Sequence, residues 1–343
     1  MQSSYLVYIV FRSFLLVASH LPFRVNAVLG RLIGRAYYRI DRARRRFARA
    51  NISIVFGKEL DDRGRDALGR RSCEMLAMNI LDLLKFDRIV NPENFRQFIE
   101  ITGFSHLMKS VDRGEGTVVV SGHFGNVFLL RYACYLNIPP RAAVIRKLDN
   151  PYLERYLSSL LNSHNVTVIR PDGALKRMNQ LLLQNAITVT LADQKAGGTP
   201  RVGRHGIVTD FFGIPSQTHI TAPLLARRSG ASVLTVFVIR KGPGRYRIEI
   251  NEPMNLVHTD DEQADLKRNT QTINRVFEEY IRKYPDQWFW QHRRWKDIAG
   301  LEDLYETSDP LALIRVFRSK IGKGLRKENP EDNVTSEHSC VAE

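Results

Sequence analysis

Residues 118–133 read VVVSGHFGNVFLLRYA. A β-branched run bounded by Gly116 and Gly122 stops at His123, the small residues Gly125 and Asn126 follow, and an apolar pattern of helical type comes next. A histidine at the end of a buried strand is placed to take a proton from a substrate hydroxyl, because imidazole titrates near neutral pH. The same residue at the same place also serves simply to cap the next helix, and the residues themselves weigh the two roles evenly. No Asp or Glu occurs between Glu115 and Asp149. A carboxylate that orients His123 would therefore have to come from a distant part of the chain.

The elements around His123 say which distant residues qualify. Residues 59–92 carry apolar side chains at helical spacing, with Asp61 or Asp62 available to cap. Then strand and helix patterns alternate: strand GTVVVSGH, a helix over about 127–136, strand AAVIR, helix 150–163, strand VTVIR, helix 173–184 and strand ITVTLAD. A loop, a helix over 218–229, strands ASVLTVFVIR and RYRIEIN and a helix over 262–284 complete the series. Such alternation predicts an α/β fold, a mainly parallel sheet covered by helices. In such a sheet, ligands bind at the carboxyl ends of the strands. His123, Arg146, Arg170 and Asp193 each stand at or just after a strand end, and their convergence points to one site.

Composition restricts the partners. Lys and Arg number 51 against 36 Asp and Glu, a net charge of +15, which favours an anionic partner such as nucleic acid, an anionic membrane or an acidic carrier protein. Nucleic acid ranks last, because the arginines are not interleaved with aromatics and no zinc-finger or ribonucleoprotein motif occurs. The apolar run YLVYIVFRSFLLVA at 5–18 is 14 residues long and contains Arg12, short of the roughly 20 residues that cross a bilayer comfortably. Pro22 and the lack of a small-residue cleavage site argue against a removed signal peptide. A second apolar stretch, Val25–Tyr38, runs into Arg39, Arg42, Arg44, Arg45, Arg46 and Arg49, a combination suited to an anionic bilayer surface. The chain thus divides into a membrane-associating segment over 1–50, an α/β domain over 51–317 and a polar tail over 318–343 that reads as disordered. Cys73, Cys134 and Cys340 are too scattered for a disulfide framework or a zinc site.

SGHFGN, VIRKLDNPYLERY, LADQ, DFFGIPSQTHITAPLLARRSGASVLTVFVIR with GRYRIEI, and YPDQWFWQHRRWK resemble, in order and spacing, the bacterial lipid A biosynthesis acyltransferases. The resemblance runs over about residues 5–300. It implies a glycerolipid-acyltransferase-like fold at the cytoplasmic face of the bacterial inner membrane. It also implies transfer of a fatty acyl chain from an acyl carrier protein or coenzyme A thioester to a hydroxyl of an anionic glycolipid, with no metal or redox cofactor. In the family's H-x4-D/E motif the histidine is the base and the carboxylate orients it. His123 takes the first place, but Phe128 occupies the carboxylate position. Phe128 suits the apolar face of the following helix. Asp193, in LADQ, matches another family motif and is the candidate to replace the missing carboxylate from across the site, or else braces its own loop. A backbone carbonyl or Asn126 is the other candidate orienter.

By the same resemblance Arg146 and Asn150 match an R-x-x-x-N-P stretch in which the arginine holds a phosphate or polarises the thioester carbonyl. Arg170, Lys176 and Asn126 are further candidates for substrate contact. KAGGTPRVGRHG at 195–206 could form an anion-binding loop, with His205 incidental, and WFWQHRRWK serves either as a wall beside the lipid headgroup or as a packed brace. His292 in that motif carries no assigned chemistry. The departure at Phe128 leaves a second reading open, a protein that keeps the fold and the anionic pocket and binds lipid without catalysis.

Overall fold

The computed structural model describes residues 16–196 and 206–328, the last seven of these in backbone only, together with Tyr5, Ile9, Arg12 and Ser13. Its centre is a seven-stranded sheet in the order β1-β9-β8-β2-β5-β3-β4. The strands are β1 (Ile99–Thr102), β2 (Thr117–Ser121), β3 (Arg141–Val144), β4 (Val166–Ile169), β5 (Ile187–Leu191), β8 (Ser232–Gly242) and β9 (Arg245–Ile250). Every pairing is parallel except the β8–β9 hairpin. A mainly parallel sheet needs cover on both faces, and the unbroken apolar run Val118-Val119-Val120 shows why these residues satisfy it. Val118 and Val120 point into one core with Phe237, Met178 and Phe277, while Val119 points into the other with Val236, Leu129 and Phe86.

The sequence reading missed three features of this frame and misplaced two boundaries. Strand β1 and the helix Phe104–Asp112 after it do not show in the sequence pattern, because the four residues of IEIT carry too short an alternation to stand out. The stretch read as a loop before the helix Thr221–Ser229 contains the hairpin β6 (Gly206–Phe211) and β7 (Ile214–His219). Its two-residue turn, Phe212-Gly213, has both φ angles positive, the twist a tight hairpin requires. Phenylalanine is not a residue expected there, and the Phe212 N–H is held by the Glu278 carboxylate. Pro215 in the second strand further hides the pattern.

The boundary at 50/51 falls inside the helix Arg42–Phe56, whose Ala48, Ala50, Ile52 and Ile54 are core residues. The polar tail expected from 318 lies partly in the helix Pro310–Glu328, which seats Ile314 and Phe317 on the core. Its basic outer face disguised it in a reading by composition. Residues 329–343, with Cys340, lie outside the described residues, as do half of 5–18 and all of 197–205.

The helix Phe23–Ile40 packs its small residues Gly30 and Gly34 directly on the backbone of Met78 and Glu74 in the helix Asp62–Ile89. Its opposite side exposes Val25, Val28, Leu32, Ile33 and Ile40 among Arg24, Arg31 and Arg39. Among the described residues no helix is long and apolar enough to cross a membrane.

Candidate active site

The register of two adjacent strands builds the site. Ser121, the last residue of β2, pairs with Leu191, the last of β5, so His123 and Asp193 each stand two residues beyond neighbouring strand ends. Gly122 lets them approach, since a Cβ there would lie 2.7 Å from the Phe277 ring and 3.0 Å from the Asp193 carboxyl carbon. Asp193 Oδ1 is 2.9 Å from His123 Nδ1, and its Oδ2 accepts the His123 backbone N–H at 3.0 Å and the Trp288 indole N–H at 2.9 Å. A carboxylate can only accept, so Nδ1 carries the proton and donates it, which leaves Nε2 as the acceptor. The Asp193 side chain is fully buried, whereas that of His123 is 40% exposed.

Burial disfavours charge on both partners, and their mutual attraction outweighs it. The His123 pKa is raised, because the charge and hydrogen bond of Asp193 exceed the desolvation of the ring. Burial alone would raise the Asp193 pKa, yet the His123 charge and hydrogen bond, with help from Trp288, hold the carboxyl well below its ordinary range. The geometry is that of an imidazole oriented by a carboxylate, an arrangement that can accept a proton at Nε2. Asp193 also ties the His123 backbone and the Trp288 indole together through its second oxygen.

The loop after His123 is clamped on three sides. Phe289 N–H donates to His123 O at 3.0 Å and Gly125 N–H to Gln287 O at 2.8 Å. Asn126 is buried and donates its amide to Asn79 O at 2.9 Å. It is therefore a brace of the loop against the helix Asp62–Ile89, a correction to its reading as a substrate contact or as the His123 orienter.

Phe128 does not pack into a core as its type suggested. It lies in a 3-10 helix, Val127–Tyr135, and is 41% exposed. The tighter winding of this helix buries Leu129, Arg131 and Tyr132 and turns Phe128 outward. Because Asp193 already fills the Nδ1 side of His123, Phe128→Asp is expected to change turnover less than about threefold. Steady-state turnover of the variant checks this; a gain of tenfold or more would show that position 128 governs the imidazole.

The remaining candidates spread along the sheet edge. Arg146, two residues past β3, is exposed. Asn150 caps the helix Pro151–Asn162, accepting from the backbone N–H groups of Tyr152 and Leu153. Arg170 follows β4, three strands from β2 and so about 14 Å away at the usual strand spacing. It pairs with Glu154 and donates to Ile145 O at 3.3 Å, so the structure does not bring it to His123. His205 and most of the glycine-rich loop lie outside the described residues. Cys73 is no nucleophile, because burial pushes its thiol up to about 12.

The sequence reading gave too little weight to the C-terminal segment. Trp288, Trp290 and Trp295 are buried, so WFWQHRRWK is a brace, and it forms the back wall of the site. Trp288 bonds Asp193, and the His292 ring lies edge-on to Trp288 at 5.0 Å, with burial pushing its pKa down to about 3. The usable signal was the density of aromatics interleaved with cations at the end of the fold.

Comparison with known proteins gives the family. The family model described as bacterial lipid A biosynthesis acyltransferase matches residues 1–297. The lipid A biosynthesis palmitoleoyltransferase of Escherichia coli K12 is 25% identical over 296 residues, spanning 83% of this chain and 90% of that protein. The lauroyltransferase of the same organism is 23% identical over 279 residues, 80% of this chain and 87% of its own length. A phosphatidylinositol mannoside acyltransferase of Mycolicibacterium smegmatis is 23% identical over 209 residues, 60% of this chain and 64% of that one. With a match that runs from the first residue through the back wall of the site, the chain belongs to the bacterial lipid A biosynthesis acyltransferase family.

Proposed function

We propose that the protein transfers a fatty acyl chain from an acyl carrier protein or coenzyme A thioester to a hydroxyl of an anionic, lipid A precursor-like glycolipid. The reaction takes place at the cytoplasmic face of the bacterial inner membrane. The observation that carries this reading is the hydrogen bond from His123 Nδ1 to the buried Asp193, which leaves Nε2 as an open base. Nε2 takes the hydroxyl proton as the oxygen attacks the thioester carbonyl. The thiolate then leaves and the imidazolium returns the proton to it, so the step balances without a protein nucleophile. Asp193 stabilises the imidazolium between the two transfers.

Three further features support the reading. An apolar cavity lies under the 3-10 helix that follows His123, walled by Val119, Val189, Val236, Leu130 and Ile248, and suits a hydrocarbon chain. Arg146 is free to face an anionic group or the thioester carbonyl. The outer side of the helix Phe23–Ile40, apolar among arginines, suits the interface of an anionic bilayer.

The test is mass spectrometry of glycolipids from cells that lack the protein, carry the wild type, or carry His123→Ala at matched abundance. We expect one acyl chain to be missing in the first and third and present in the second. Identical lipids in all three, in a background without another acyltransferase of this family, would overturn acyl transfer and leave the non-catalytic lipid-binding reading.

A further inference from the structure

Arg294 lies behind the site with its side chain shut off from water, 1% exposed. Nη1 donates to Gln217 O and Nη2 to Thr218 Oγ1, both at 2.7 Å, and the guanidinium lies 4.7 Å over the Phe211 ring. Of the other buried arginines, Arg65, Arg131 and Arg240 each meet a carboxylate, from Asp62, Asp87 and Asp82, while Arg141 donates to the His164 and Asn165 carbonyl oxygens at the far end of the sheet's strands. Arg294 meets none among the described residues, and an isolated buried cation is costly unless another charge answers it. Burial brings its pKa down to about 10, so it stays charged at neutral pH, while Asp193 and then Tyr305 act against that fall, Asp193 being the carboxylate of the two. Two aromatic rings in contact link Arg294 and Asp193: Trp288 donates to Asp193 and lies 6.0 Å from Phe211, on which Arg294 rests.

Asp193 needs such a partner. While His123 is neutral and ready to act as base, the fully buried carboxylate touches no cation. His292 cannot serve, because burial keeps it uncharged. We propose that Arg294 is a positioning residue for the reaction, the fixed counter-charge of Asp193, and that it sets the proton affinity of His123 through the Trp288 and Phe211 layer. This rests on the reading of His123 as the base. The titratable groups acting on the pair are His292 and Arg294 from the C-terminal segment, with Tyr305 acting on Arg294, while Lys195, two residues from Asp193 in the chain, is engaged by Asp297 at 2.6 Å.

The sign follows from charge. Removing a cation makes protonated His123 easier to form, so its titration midpoint rises. In the full-length protein labelled with 15N-histidine and assigned with His123→Gln, Arg294→Gln is expected to raise the His123 midpoint by about 0.5–1 pH unit, roughly three- to tenfold in proton affinity. Arg294→Lys should restore it, and Thr218→Val, which removes a hydrogen-bond partner but keeps the cation, should leave it in place. A midpoint within about 0.2 unit of the wild type in Arg294→Gln would overturn the proposal. Should that variant melt too low for spectroscopy, the double variant Asp193→Asn/Arg294→Gln decides. It should melt above Arg294→Gln alone, because a neutral residue 193 needs no counter-charge, and a melting point at or below that of Arg294→Gln would reject the link. Retained turnover in His123→Ala would defeat the base assignment and leave this electrostatic link standing. An unmoved midpoint with His123→Ala inactive would defeat the link alone.

Discussion

Asp193→Asn is expected to lower turnover by about 10⁴-fold while leaving substrate binding near the wild-type level, because the loss falls on the proton-transfer step. The argument is geometric. Nδ1 of His123 has one hydrogen-bond partner, Asp193 Oδ1 at 2.9 Å, and the carboxylate fixes the proton on that nitrogen. An asparagine amide can present its N–H₂ to Nδ1 and accept with its oxygen from the His123 and Trp288 N–H groups. The proton would then move to Nε2, the nitrogen that must be free to accept. The same change lowers the His123 pKa, since its rise above the ordinary histidine value comes from Asp193 against the opposing pull of burial.

A base works only when unprotonated, so in the wild type kcat/KM should fall as pH drops through a midpoint above about 6.5. The residual activity of Asp193→Asn should show that limb at lower pH. Measurement of kcat/KM against pH for both proteins checks the size and the direction together. A loss below about tenfold, or a limb that stays in place, would show that Asp193 only braces its loop.

That expectation depends on a pairing the sequence could only offer as a possibility. His123 and Asp193 are 70 positions apart, and both were legible as residues at strand ends. What was hidden is the strand order. Arg146, Arg170 and Asp193 look equivalent in one dimension, but of the strands they follow only β5 lies against β2, so of the three only Asp193 reaches the imidazole. Strand order depends on which helices cover which face, a property of the assembled core rather than of any local pattern. The alternation of strands and helices was legible because long β-branched and apolar runs state it locally. Strand β1 and the hairpin β6–β7 were not, since one is too short for its period to show and the other turns on a phenylalanine held at positive φ by Glu278 from a distant helix. Arg294 and His292 were legible as a motif without a role, because a buried charge is recognisable only once its surroundings are known.

Gly125→Ala should cost turnover about 10²-fold or more without unfolding the sheet, and here the cause is displacement rather than chemistry. Gly125 has φ of +54°, and a Cβ on it would lie 1.7 Å from Val238 O. Val238 is backbone in the central strand β8 and cannot yield, so the loop from Gly122 to Asn126 must move by an ångström or more. His123 is two residues away on that loop, and a misplacement of about 1 Å at a reacting group is enough for a loss of this size. The clamps at Gln287, Phe289 and Asn79 resist the shift and turn part of it into lost stability.

Gly114→Ala separates the two causes. Gly114 has φ of +73°, but nothing lies within 4 Å of its Cβ position. It carries the backbone penalty of a left-handed alanine, about 1–2 kcal/mol, without the collision. Thermal melts and turnover measured on both variants should show Gly114→Ala somewhat less stable with normal activity, and Gly125→Ala impaired in both. Equal turnover in the two would mean that the His123 loop tolerates the shift, and that the open Nε2 does not need the placement the clamps give it.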